Sequence, residues 1–313
     1  MKLNIKPFTE SNNLLKNPSR LRKRLRDDGY LFLKGILPKK DVLEVRRKVL
    51  EICEENGWLQ KETKLMEGLT DHIPIQEGTE AYSKVYEKVQ SLEGFHRLKL
   101  HNNFKNILED IFEEPVIPFP QTIGRIAFPK DNLNKTHPHQ DWIFVGGSTE
   151  SISCWTPLGD TPIEIGGLTI LEGSHKAGFL EPRLARGPGH RTVDIDPELE
   201  WVQSDYENGD LLLFKMLTIH AASENLSQHR LRLSIDFRYT GESHVINDEW
   251  MVPHLSPNNP DMNWNFLESE WKDSPTAHYW ERLPKMKLRK HNWWWDPQQV
   301  GRNANKLNKE EKM

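Results

Sequence analysis

The sequence predicts an α+β chain with a largely helical first third and a mainly β core of the double-sheet type. Apolar residues recur at helical spacing as far as about residue 113. From Pro115 to about residue 241, short β-like runs alternate with Gly, Pro and Asn turn signals. Helices first and then a β core make the whole an α+β chain around one double-sheet module.

The elements follow in order. "NPSRLRKRLRDDG" supplies a charged amphipathic helix ending at Gly29, and "YLFLKGIL" a compact β-rich run. In "PKKDVLEVRRKVLEICEENG" Val42, Val45, Val49 and Ile52 share a helical face before the Gly57 stop. "AYSKVYEKVQSL" and "FKNILEDIF" carry further 3.6-period apolar faces. The β core is expected in "VIPFPQTIGRIAF", "DWIFVG", "SISCWTPL", "GGLTIL", "GDLLLF" and "LRLSIDFRYT". Residues 242–313 hold seven of the eleven tryptophans, including "NWWWDP", with poor periodicity; they read as a lid or wrap with a solvated tail, not a second domain. One domain spanning 1–313 results, with a helical part over 1–114, a core over 115–241 and the Trp-rich segment after it.

Composition narrows the function. A net charge of −4 over 313 residues argues against a nucleic-acid or membrane-surface protein, and the basic runs "RLRKRLR" and "KMKLRK" are flanked by acidic residues. Two distant cysteines, Cys53 and Cys154, make no disulfide framework and suit a reducing cytosol. The amino terminus shows no apolar signal region and apolar stretches stop at four or five residues, so a soluble cytoplasmic protein is expected. Neither a G-x-G-x-x-G nor a Walker loop supports nucleotide binding.

Chemistry concentrates in "THPHQDWIF". His139 and Asp141 are two residues apart, so on a strand both would point to one face. A histidine nitrogen and a carboxylate suit Fe(II), and a second histidine completes a 2-His-1-carboxylate triad. His220, closing "NGDLLLFKMLTIH", is the candidate; a satisfied core histidine is the alternative. His137 is a rival to His139, but without a carboxylate partner at the same spacing. Downstream, Arg232, Ser234, Asp236 and Arg238 alternate with Leu233, Ile235 and Phe237, so one strand face carries four polar side chains. An inward arginine requires an anion, and its planar fork matches a carboxylate.

With "DDGYLFLKGILPKKDVLEVRRKV", "HQDW", "CWTPLGDTPIEIGGLTILEGSHK", "NGDLLLF" and "NLSQHRLRLSIDFRY" in that order, residues 22–240 resemble the phytanoyl-CoA dioxygenase family of Fe(II)/2-oxoglutarate oxygenases. The resemblance implies a double-stranded β-helix (jelly roll, cupin-like) with the N-terminal helices packed on one sheet. It implies iron ligation by His139, Asp141 and His220, and a hold by Arg232 on the distal carboxylate of 2-oxoglutarate, with Ser234 in support. Arg230 is a rival anchor, since the interval after His220 is one residue longer than the common pattern. Ala222 stands where many members carry a polar residue, whose contact could pass to Ser223. Gln121 and Arg125 sit where members line the cosubstrate or substrate pocket. Trp155 matches a tryptophan near the cosubstrate or is a core anchor, and Trp142 either packs or stacks on substrate. The implied activity is O2-dependent hydroxylation of an unactivated C–H bond in a small molecule, with 2-oxoglutarate converted to succinate and CO2. An aspartate at 141 argues against halogenation. A catalytically silent metal- and 2-oxoglutarate-binding regulator is the alternative, and a homo-oligomeric state is left open.

Overall fold

The computed structural model describes residues 5–131, 134–185, 187–256, 259, 261–283 and 286–290; "NWWWDP" and the expected solvated tail lie outside them. Five helices dominate the first third: α1 (Pro18–Asp28), α2 (Lys39–Glu55), α3 (Glu80–Gln90), α4 (Glu93–Arg97) and α5 (Asn102–Phe112). Asn17 caps α1 by accepting from the Arg20 amide, with Pro18 in the first turn. The helix stops at Gly29, which takes a left-handed φ of 84° and hands the chain to β1 (Tyr30–Leu33). A side chain at Gly29 would also press into the His175 ring and the Thr218 hydroxyl.

The larger sheet runs β1–β10 (Leu211–Lys215)–β5 (Ile152–Pro157)–β12 (Arg232–Gly241)–β2 (Val116–Pro118), and β3 (Ile123–Ala127) also pairs with β12. The smaller sheet runs β4 (His139–Gln140)–β11 (Ile219–Ala222)–β6 (Leu168–Leu171)–β9 (Trp201–Val202). Every pairing in these two sheets is antiparallel. The run "YLFL", early in the helical third, is therefore an edge strand of the larger sheet. Two short pairs complete the described strands: the hairpin β7 (Arg183–Leu184) with β8 (Arg191–Thr192), and β13 (Val245–Asn247) with β14 (Lys287–Arg289).

Strand alternation divides the core into two layers. Leu31, Leu33, Cys154, Leu211, Leu213, Leu233, Ile235 and Phe237 face the helices and join Leu21, Val42, Val45, Val49 and Ile52 in the largest cluster. The intervening residues Tyr30, Phe32, Trp155, Leu212 and Phe214 turn the other way, onto Leu168, Ile170, Val202 and Tyr206 of the smaller sheet's side. One face of the larger sheet thus carries the helices and the other encloses the inter-sheet space.

The Trp-rich segment divides similarly. Trp250, His254 and Leu255 reach a cavity between the sheets, while Trp264 and Trp271 pack their rings against His96 of α4. Trp271 also donates to the Ser91 carbonyl at 2.8 Å. Among its described residues, 250, 254 and 255 line the cavity and 264 and 271 pack on α4. Among the described residues, no helix is long and apolar enough to cross a membrane.

Candidate active site

A cavity of about 350 Å³ lies between the sheets, with His139, Asp141 and His220 on its wall. His139 and His220 face each other directly across the β4–β11 ladder, so both rings leave the smaller sheet on the same side. Their centroids are 4.2 Å apart. Asp141 joins them differently from the strand alternation expected for an H-x-D pair. The strand ends at Gln140; Asp141 takes helical φ/ψ of −61°/−31° and caps a single helical turn, α6 (Trp142–Val145). That turn brings Asp141 Oδ1 to 3.5 Å from Nε2 of each histidine. One ligand atom from each residue lies within 4.8 Å of the others, and all three side chains are buried.

The surroundings fix how each group presents itself. His139 Nδ1 is 2.7 Å from the His137 carbonyl and His220 Nδ1 is 3.1 Å from that of Thr218. A carbonyl accepts only, so each Nδ1 carries the proton and each Nε2 faces the centre with a lone pair. His137, the rival ligand, thus serves through its backbone oxygen. Asp141 Oδ2 is engaged from behind, by the Arg238 guanidinium at 2.7 Å and by the Ser153 hydroxyl. Burial opposes ionisation of Asp141, yet Arg238 and then His220 hold its carboxyl well below the usual range. Burial pushes His139 down, with His220 adding to it. Both Nε2 atoms and one carboxylate oxygen are thus directed at the same centre, the donor set a divalent metal requires.

The opposite wall is β12. Arg232, Asp236 and Arg238 face the cavity, in the alternation expected from the sequence. Arg232 is 6% exposed, its Nε has no hydrogen-bond partner, and no carboxylate among the described residues lies in ion-pair range of it. Burial pushes its pKa down to about 10. Ser234, one repeat along, is buried and its hydroxyl is likewise partnerless, but it does not reach the cavity wall. Arg230 points elsewhere and donates to the Asp160 carbonyl at 3.2 Å. Ser223 donates to Gln203 Oε1 at 3.0 Å, while Ala222 lines the cavity.

The remaining sequence candidates divide. Gln121 lines the cavity but its amide donates to the Val252 carbonyl at 3.0 Å, tying the C-terminal segment to the core. Arg125 also lines the cavity, with its charge matched by Glu77 and, at 3.9 Å, Asp236. Trp155 is on the wall with its ring 4.6 Å from Tyr206, so it is both core anchor and cavity surface. Trp142 is not on the wall: it is buried beside Phe179, and its indole donates to the Gly147 carbonyl at 3.3 Å. The substrate-stacking alternative for Trp142 is therefore corrected. Helical geometry after Asp141 turns the side chain away from the inter-sheet space.

Sequence reasoning did not reach Ser153, Glu77 or His254. Ser153 was accessible in principle, since it alternates with Cys154 in "SISCW". Glu77 and His254 come from irregular segments, where no periodicity indicates direction.

Comparison with known proteins adds to this geometry. Residues 25–233 match the family model described as phytanoyl-CoA dioxygenase (PhyH). A 1-deoxypentalenic acid 11-beta-hydroxylase from Streptomyces arenae is 29% identical over 248 residues, covering 74% of this chain and 84% of that one. The peroxisomal phytanoyl-CoA dioxygenase of Bos taurus is 30% identical over 244 residues, covering 71% of this chain and 67% of that one. Among solved structures, the epimerase SnoN in complex with Fe3+, alpha ketoglutarate and nogalamycin RO superposes with a TM-score of 0.53 at 20% identity, covering 74% of this chain and 86% of that one. At that identity the likeness speaks for the fold.

Proposed function

The chain belongs to the phytanoyl-CoA dioxygenase family and is a dioxygenase dependent on iron and 2-oxoglutarate; we propose that His139, Asp141 and His220 hold the iron and that Arg232 anchors 2-oxoglutarate. The two facing antiparallel sheets are then the halves of a double-stranded β-helix, and the described chain works as a single oxygenase domain. The observation that carries the reading is the pairing, in one cavity, of three convergent ligand atoms with a buried guanidinium that has no partner. A dicarboxylate spanning the two would satisfy both.

The chain's own residues perform four tasks. His139 and His220 present Nε2 because backbone carbonyls hold their Nδ1 protons. Asp141 offers Oδ1 alone, since Arg238 and Ser153 occupy Oδ2, and this leaves metal positions open on the cavity side. Arg232 receives the distal carboxylate from the facing sheet, and Trp155 and Leu168 add apolar wall to the same cavity. Phe144 and Phe214 pack their rings against His139 and His220 and limit water beside the ligands. When bound, iron and 2-oxoglutarate supply oxygen activation and C–H hydroxylation, with 2-oxoglutarate converted to succinate and CO2. A carboxylate at 141 supports hydroxylation over halogenation. The relatives named for 1-deoxypentalenic acid and phytanoyl-CoA support a small-molecule substrate. Two buried free thiols, Cys53 and Cys154, support a reducing, cytoplasmic setting.

The test is succinate formation and O2 uptake with Fe(II) and 2-oxoglutarate. Asp141→Ala is expected to abolish both; an unchanged rate overturns the ligand assignment.

A further inference from the structure

The charge pattern of the cavity bears on what the enzyme hydroxylates. From Asp141 a ladder of alternating sign crosses the wall. Asp141 meets Arg238 at 2.7 Å; Asp236 sits 3.9 Å from both Arg238 and Arg125; Arg125 ends the ladder on Glu77. Glu77 comes from the segment before α3, where its amide donates to Asn134 Oδ1 at 2.8 Å. The ladder therefore spans the cavity from the metal carboxylate to a loop on the far side. Glu249 and Arg191, also on the wall, each have partners too. His254 is held neutral, with Nδ1 2.7 Å from the Tyr86 hydroxyl.

The balance closes. Three carboxylates (Glu77, Asp141, Asp236) face three guanidiniums (Arg125, Arg232, Arg238), and the divalent metal cancels the dicarboxylate. Arg232 is the one charged wall residue among those described without a partner, and 2-oxoglutarate takes it. An anionic group entering afterwards finds no unpaired cation, and a cationic group finds no unpaired carboxylate. Either would be buried uncompensated, which is far more costly than burying a hydroxyl or carbonyl with a hydrogen bond. The volume of about 350 Å³ is near the lower end of small-molecule sites and is shared with the cosubstrate.

We propose that the part of the substrate entering this cavity is compact and uncharged (an alcohol, ketone or hydrocarbon skeleton) and that the Glu77–Arg125 pair excludes charged analogues. The inference rests on the assignment of Arg232 to 2-oxoglutarate. It is tested by calorimetry on the anaerobic protein loaded with Fe(II) and 2-oxoglutarate, using adamantan-1-ol, adamantane-1-carboxylate and adamantan-1-ammonium. The alcohol is expected to bind at least about tenfold more tightly than either charged analogue, and Glu77→Gln, which leaves Arg125 with only Asp236 at 3.9 Å, to gain at least about tenfold for the carboxylate. Equal binding of a charged analogue by the unaltered protein overturns the inference. So does binding of none of the three with no gain in Glu77→Gln. A separate titration of 2-oxoglutarate distinguishes the levels: if it binds and the probes disobey, only the substrate inference falls; if it does not bind, the anchor assignment falls as well.

Discussion

Replacing Arg232 by methionine should move two measurements in opposite directions. Methionine keeps the packing of the arginine stem while removing the guanidinium. In the ligand-free protein that guanidinium is buried without a partner, and burial lowers its pKa to about 10. For a base, a folded-state pKa below the unfolded one means the protonated form is penalised on folding. The penalty is fully present at all pH values below about 10 and is relieved only above it. At about 1.4 kcal/mol per pH unit the shift corresponds to roughly 3 kcal/mol at neutral pH, less whatever packing methionine fails to restore. Arg232→Met is therefore expected to raise the melting temperature of the ligand-free protein by roughly 2–6 °C. The same substitution removes a charge-assisted, bidentate contact worth roughly 3 kcal/mol, so the Kd for 2-oxoglutarate should rise on the order of 100-fold. Thermal shift with and without 2-oxoglutarate, plus calorimetric titration, reads both. A variant less stable than its parent that binds 2-oxoglutarate as tightly would refute the reasoning on both counts.

Two further predictions concern the same region. Arg238→Met removes the cation held at 2.7 Å behind Asp141, and the metal dissociation constant should rise roughly 10–100-fold, measured by metal titration; Ser153→Ala should have a smaller effect in the same direction. His254 is buried, and burial lowers its pKa to about 4. Above the ordinary imidazole pKa neither state binds the proton. Between about 6.5 and about 4 only the unfolded chain does, so this residue should erode stability as pH falls through that window and add nothing further below it. Denaturant unfolding across pH 7 to 4 should show a slope shallower by about one proton in His254→Gln; identical slopes would remove His254 from the account.

Much of the site was legible because it lies on regular strands. His139 and His220 become neighbours through ladder register, and the face of Arg232, Asp236 and Arg238 follows from a period of two; Arg230 lies before the strand begins and points elsewhere. Asp141 joins the histidines by another route than the strand alternation expected of an H-x-D pair: a helical turn aims its carboxylate. The same turn defeats inferences about Trp142. The Glu77 contact spans 48 residues to Arg125 and joins a loop to a strand, so nothing local encodes it. Gln121 shows the reverse case, an inward polar residue whose donors serve the backbone of the C-terminal segment.

β12 pairs with β2, β3 and β5 and is buried along its whole length, while its cavity face carries Arg232, Asp236 and Arg238. Loss or gain of one residue in it would exchange its two faces, sending arginines into the helix-packed layer and leucines into the cavity. That makes the strand an inherited constant, a part that descent can alter only by substitution in place. Glu77 and Arg191 sit on the cavity wall from outside the two main sheets, on an irregular segment and on the β7–β8 hairpin. Neither segment belongs to the ladder that sets His139 opposite His220. Divergence in substrate choice would accumulate there, around a reaction centre that stays fixed.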